Sequence, residues 1–312
     1  NAGIYANGAG TSLLVFDSTI SDNSIGATNV QKYGIYYNSA NGSPVFNNLT
    51  VQNNVGEGLW AATLSSVSVS NSTFISNSGY AAYLTFSNGL FTGNSGNTGT
   101  GNGKNGIGLV GTLTSSVTLA NNPGFPYIVD GSLQVQAGST LLLEPGTVVK
   151  FTALDRLLNV SGTLNAQGTS VNQVVFTSLK DDASGGDTNN YESASTPAKG
   201  DWGTIVVQSG GTATFDHAVI RYGGQGYADY GWNGYYGNIQ VNGGGSVTVR
   251  NSTVSHSMNA GIYASGAGTS LLVFDSTISD NSTGAANVQK YGIYNGSDST
   301  TTIHNSNIYN NS

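Results

Sequence analysis

The chain has 312 residues, and only 8% are Asp, Glu, Lys or Arg, against about 25% in an average soluble domain. Gly stands at 45 and no long window is rich in helix formers, so a helical bundle or coiled coil is excluded. The net charge of -7 with nine basic residues leaves no nucleic-acid footprint, no apolar run is long enough for a membrane span, and Cys is absent.

Residues 1–120 predict short strands joined by Asn turns. The recurring unit is a polar pair, Ser or Thr, a β-branched or aromatic residue, two further positions and Asn. It reads DSTISDN at 17–23, NLTVQNN at 48–54 and NSTFISN at 71–77. Gly–apolar steps stand at Gly34–Ile35, Gly58–Leu59 and Gly106–Ile107, and neighbouring units often lie 23 or 24 residues apart. Such punctuated runs at a fixed period are what a parallel β-helix requires, since inward residues of one coil stack on those of the next. Asn tolerates left-handed turns, and stacked Asn side chains form ladders along the axis. The fold class expected is all-β, a right-handed parallel β-helix (β-solenoid) of about 10–13 coils.

Composition shifts around Pro123 and Pro126, and 127–176 carries longer Val and Leu strands. Two lateral loop insertions are expected, at 178–201 and 222–237. Regular coils resume at 239 and include NSTVSHS (251–257), DSTISDN (275–281) and NSNIYNN (305–311). Ile20, Val51, Phe74, Val254, Ile278 and Ile308 hold one place in the unit and are expected in a single inward column. His256 and His304 are expected at turns that sister units give to Asp or Asn.

Residues 1–36 recur at 259–294 with changes only at Asn7/Ser265, Ile25/Thr283 and Thr28/Ala286, an offset of 258. Identity at solvent-type positions indicates recent duplication. The chain therefore reads as one continuous solenoid over 1–312, a slice of a tandem array with a 258-residue period. Ten to twelve coils would make that period roughly 50–55 Å long. The start at Asn1, without Met or an apolar leader, agrees with a mature piece or a slice.

This grammar resembles the right-handed parallel β-helix repeat proteins of bacterial surfaces, in the pectate-lyase-like superfamily. YIVDGSLQVQAGSTLLLEPGTVVKF (127–151), FTSLKDD (176–182), GDWGTIVV (200–207) and FDHAVIRYGG (215–224) resemble a module of large secreted bacterial β-helix proteins. The resemblance implies an extracellular or cell-surface location. It also implies that enzymes of this fold cleave acidic polysaccharides with paired carboxylates, or through a calcium-bound substrate and a basic residue. The polygalacturonase-type motifs are absent from this sequence.

Three constellations remain. Asp216, His217 and Arg221 are weak catalytic candidates, with alternation turning Asp216 away from His217. Asp181, Asp182, Asp187 and Glu192 offer hard oxygen ligands for a structural Ca²⁺ on a flexible insertion, without a recognised calcium spacing; no other cofactor is expected. Tyr227, Tyr230, Trp232, Tyr235 and Tyr236 form an aromatic insertion suited to sugar rings or a protein partner. Thr112–Thr114, Thr212–Thr214 and Thr300–Thr302 read as isolated and out of register with the repeat.

The leading expectation is a non-enzymatic structural or adhesive solenoid, a stiff stalk, sheath or fibre whose partners are neighbouring copies end to end. The alternative is a module that binds or cleaves glycans or cell-wall polysaccharide.

Overall fold

The computed structural model describes residues 2–23, 32–40, 42–225, 237–283 and 290–311. Parallel pairing links one inward column along the whole rod. It runs Ile4, Ile35, Leu59, Ala82, Ile107, Tyr127, Val149, Phe176, Ile220, Val254, Ile278 and Ile308, twelve rungs in all. We call this face A. Each buried aliphatic or aromatic rung contributes roughly 1.5–3 kcal/mol.

The other faces change partway along. Early coils complete the cross-section with face B (Val15, Phe46, Val69) and face C (Ile20, Val51, Phe74, Gly99). Later coils use face D (Leu133, Leu158, Ile205, Ile239, Ile262, Ile293) and a seven-stranded sheet, face E, from Val117–Leu119 to Ser299–His304.

The switch has a local cause. Where the next strand of face C would come, the sequence reads NNPGFP (121–126). Its two prolines have no N–H to donate to a ladder. Phe125 turns inward instead, stacks on Phe74 at 6.0 Å with ring planes 8° apart, and fills the space beside Gly99. Face C stops at Thr98–Thr100. Face D is already present beside it: Leu64, Phe86, Gly111 and Leu133 stack in turn before Leu158. Gly111 has φ +107°, and a Cβ there would strike the Phe86 carbonyl.

Ile20, Val51 and Phe74 therefore share face C, whereas Val254, Ile278 and Ile308 share face A. The expected single column is two columns. All are buried except Ile308 on the last coil, which is 42% exposed.

The duplicated segments keep the same local backbone: Asp17 and Asp275 both have φ +48°, Asp22 and Asp280 +59° and +56°, Gly10 and Gly268 +73° and +76°. They occupy different faces, however, because Ile4 stands on face A and Ile262 on face D. Nine steps along face A lead from Ile4 to Val254, and Ile262 follows one face later. The period is nine turns plus one face, about 45 Å at ~4.8 Å per coil, shorter than expected.

Asn side chains form the expected ladder inside the early coils. Asn23 Nδ2 donates to Asn54 Oδ1 (2.9 Å), Asn54 to Asn77 (2.8 Å), Asn77 to Asn102 (2.8 Å) and Asn102 to Asn105 (3.0 Å). Buried amides of this kind are costly unless paired, so the ladder fixes the coil spacing. His256, at φ +52°, holds the turn position of Asp280 and Asn310, as expected. His304 does not, because it stacks in register on Phe274, one residue before the left-handed Asn305. Thr212 and Thr300 are also in register, in one outward line with Thr163, Ser246 and Ser270.

Candidate functional site

Alternation that turns Ile4, Ile35 and Leu59 inward turns their neighbours outward. Tyr5, Tyr36 and Trp60 stack along face A with ring centroids 4.9 and 4.8 Å apart and planes 6° and 8° apart. Tyr83 continues the line, followed by Gly108, Ile128, Lys150 and Thr177. From Ile128 onward a loop after Val174–Ser178 covers the face, with Leu179 packed against Ile128 and Tyr80.

The loop is tied to the rod by polar contacts. Asn105 N donates to Thr188 O (2.8 Å) and Asn105 Nδ2 to Asp187 O (3.1 Å), where the Asn ladder ends. Lys150 Nζ donates to Gly186 O (2.8 Å) from a fully buried position. Burial lowers the Lys150 pKa to about 8, against the opposing pull of Asp181, Asp182 and Asp187. Arg221 holds buried Asp181 through Nε (2.9 Å) and Nη2 (2.7 Å) and donates to Ser184 Oγ (3.0 Å). Asp201 gathers Lys180 Nζ (2.8 Å), Ser178 Oγ (2.7 Å) and Ala198 N (2.9 Å).

Between this loop and the coils of Glu57, Tyr80 and Lys104 lies a groove of about 660 Å³. Asp130 stands beside it, on the bulged strand Tyr127–Val135. Its carboxylate accepts Tyr80 Oη and Thr152 Oγ1, each at 2.5 Å, with Arg156 Nε at 3.5 Å and Lys104 Nζ at 3.9 Å. Burial pushes the Asp130 pKa up, but the Thr152 and Tyr80 hydroxyls and the two cations outweigh it and hold the group below the usual carboxylate range. Burial, followed by the bond to Asp130, raises the Tyr80 phenol well above its ordinary value. The acid is kept ionised and the phenol protonated, so neither is tuned to exchange a proton near neutrality.

Each cation of the groove has a carboxylate partner: Lys104 with Asp130, Arg156 with Asp155 (2.7 Å), and Lys180 with Asp201. At the rim stand Tyr191, 64% exposed, and Leu154, 43% exposed. The arrangement offers ring and aliphatic contacts, hydroxyls and amides, with no unpaired cation to receive an acidic ligand.

The expected catalytic trio is not brought together. Asp216 Oδ1 meets His217 Nδ1 at 2.9 Å, because His217 adopts φ +49° and the chain turns between them; the straight-strand divergence is corrected. Arg221 stands at the far end of Ala218–Arg221, roughly 13 Å along the strand, bound to Asp181. Of the proposed calcium ligands, Asp181, Asp182 and Asp187 all lie near the Lys150 ammonium. Asp181 is held by Arg221 and Thr177, Asp187 accepts Tyr191 N and Glu192 N, and Glu192 is exposed. Among the described residues no three His, Cys, Asp or Glu side chains gather to hold a metal; Lys150 and Arg221 supply the positive charge instead. Tyr227, Tyr230, Trp232, Tyr235 and Tyr236 lie outside the described residues.

The groove itself was not anticipated. Its signal was available in the spacing: Lys104, Asp130 and Arg156 are 26 residues apart, about one coil, which places them side by side on a solenoid.

Parallel rungs around one continuous core, with a walled groove on one side, define a β-solenoid protein. Within that class, residues 1–123 match the family model described as a right-handed beta helix region, and the same column continues to Ile308, so the chain is a right-handed parallel β-helix. That fold is consistent with the pectate-lyase-like superfamily. No curated protein and no solved structure matches the chain.

Proposed function

We propose that this protein is an extracellular structural or adhesive rod, built from tandem 258-residue units joined end to end by continued coil stacking. The observation that carries the reading is the duplicated segment. Both copies are accommodated in one uninterrupted solenoid, with the same turn conformations, on different neighbours. Repetition extends length and multiplies weak contacts, giving avidity, whereas a single active site gains nothing comparable. Electron microscopy of chains with one, two and three units tests it: straight particles lengthening by about 45 Å per unit are expected, and beads on flexible linkers would refute it.

A second reading, glycan binding, is favoured by the groove beside Tyr191 and Asp130. Its cations are internally neutralised, which supports a neutral rather than a uronic-acid polysaccharide. Glycan-array binding by the intact chain, compared with Tyr191→Ala, tests this reading.

A further inference from the structure

We infer that face E is an ice-binding surface, on which rows of hydroxyls hold a layer of ordered water that joins a growing crystal. The inference goes beyond the rod and the groove, and it stands on the 312-residue chain without an array. Two outward rows run along this face. In the row from Thr140 to Thr300 all six residues are Ser or Thr, each in register with the next. The row beside it, from Leu142 to Thr302, carries Thr214 and Thr248 on adjoining coils, with Asn165 and Leu272 on either side of them. No residue in either row is charged.

A flat parallel sheet repeats its outward side chains about 4.8 Å apart between coils and about 6.6 Å apart along each strand. Those two repeats approach the oxygen spacings on a prism face of ice. Thr suits such a lattice, because its branched side chain is stiff and presents a hydroxyl and a methyl together. The methyl restricts the water around it, and the hydroxyl anchors that water. The hydroxyls are also unspent. At the corners of the rod, Ser72, Ser252 and Ser276 turn theirs back to the backbone. On face E, Thr163 and Thr212 bond each other (3.1 Å), but among the described residues Ser246, Thr248, Ser270 and Thr302 bond no protein group through theirs.

The surroundings match an uncharged lattice. The nearest charges on these strands lie one row further, at the corner, and are occupied. Asp216 meets His217 and Asn251, and Arg250 lies over the Phe274 ring. The groove loop leaves face A after Ser178 and returns on face D at Ile205, clear of face E. The two rows hold no aromatic ring on which a sugar could stack, which separates this surface from the groove.

Freezing measurements on the intact chain test the inference. The wild-type chain should be taken up into slowly grown ice and should hold a gap between the melting and freezing points. Thr248→Lys and Thr214→Lys, at the centre of the face, should lose both effects. Thr50→Lys, outward on face C between Thr19 and Thr73, should keep them. Circular dichroism melts that match wild type show the rod intact, and Thr212→Lys, at an exposed side chain, gives the same reading where a central variant fails to fold. Exclusion of the wild-type chain from ice, or uptake unchanged in the folded face E variants, overturns the inference. Equal loss in Thr50→Lys does so too, because uptake would then not belong to face E. Exclusion from ice combined with retention on crystalline cellulose would assign the face to a solid glycan instead.

Discussion

Phe125 stacks on Phe74 with ring planes 8° apart, and this contact closes face C after Thr98–Thr100. Phe125→Ala should remove about 3–5 kcal/mol of local stability by leaving a cavity under Gly99 and Phe74. Hydrogen exchange is the readout: amides of Thr98–Thr100 and Thr73–Ile75 should lose protection while those of the last coils keep theirs. Uniform loss along the chain, or none, would contradict the plug.

Asn77 sits at the centre of the amide ladder. Its Oδ1 accepts from Asn54 N (3.2 Å) and Nδ2 (2.8 Å), and its Nδ2 donates to Val51 O (2.9 Å) and Asn102 Oδ1 (2.8 Å). Asn77→Ala should cost about 3 kcal/mol, because buried groups on both sides lose partners. Asn77→Asp should cost more, since it buries a charge and turns an acceptor toward the Asn102 oxygen. Denaturant titration of the two variants gives the order; an Asp variant as stable as wild type would contradict it.

The pattern of Ser, Thr and Asn exposed the coils and the ladder, because each coil repeats the same local physics. Which face a unit occupies was not legible in the unit itself. DSTISDN is identical at 17–23 and 275–281, yet Ile20 and Ile278 stack in different columns. The choice is made elsewhere: face D begins at Leu64, and two prolines and one phenylalanine end face C. The groove was hidden for a related reason, since its charges come from different coils and a linear motif cannot show them.

Lys150 gives a pH dependence with a definite sign. Its folded pKa, about 8, lies below the ordinary lysine value, so the native state binds fewer protons than the unfolded one. Stability from this group should therefore rise as pH climbs from about 8 toward 10.5, by roughly 3 kcal/mol in all. Lys150→Met should lack that rise and should equal or exceed wild type at pH 7. Parallel stability curves between pH 7 and 10 would show that the ammonium is not buried.

In the groove, Tyr191→Ala should weaken neutral-glycan binding roughly three- to tenfold, the range of one aromatic contact. Tyr80→Phe removes a bond that holds the Asp130 pKa down. The stability given by ionised Asp130 is present above its unfolded pKa and lost as pH falls through the folded one, so the variant should lose it at a higher pH. An acid titration monitored by Asp130 side-chain carboxyl NMR checks the direction.

No cleavage of pectate or alginate is expected with or without Ca²⁺, because Asp216 and His217 stand a strand's length from Arg221, and Arg221 is bound to Asp181. Unsaturated or reducing-end product that disappears in Asp216→Ala or Arg221→Ala would reverse this.

The change of column between Ile4 and Ile262 bears on where a repeated segment can be housed. Here an isoleucine flanked by Ile35 at one end finds Ile239 and Ile293 at the other and is housed by both. A repeated segment therefore need not start on the same column to be housed in one continuous core.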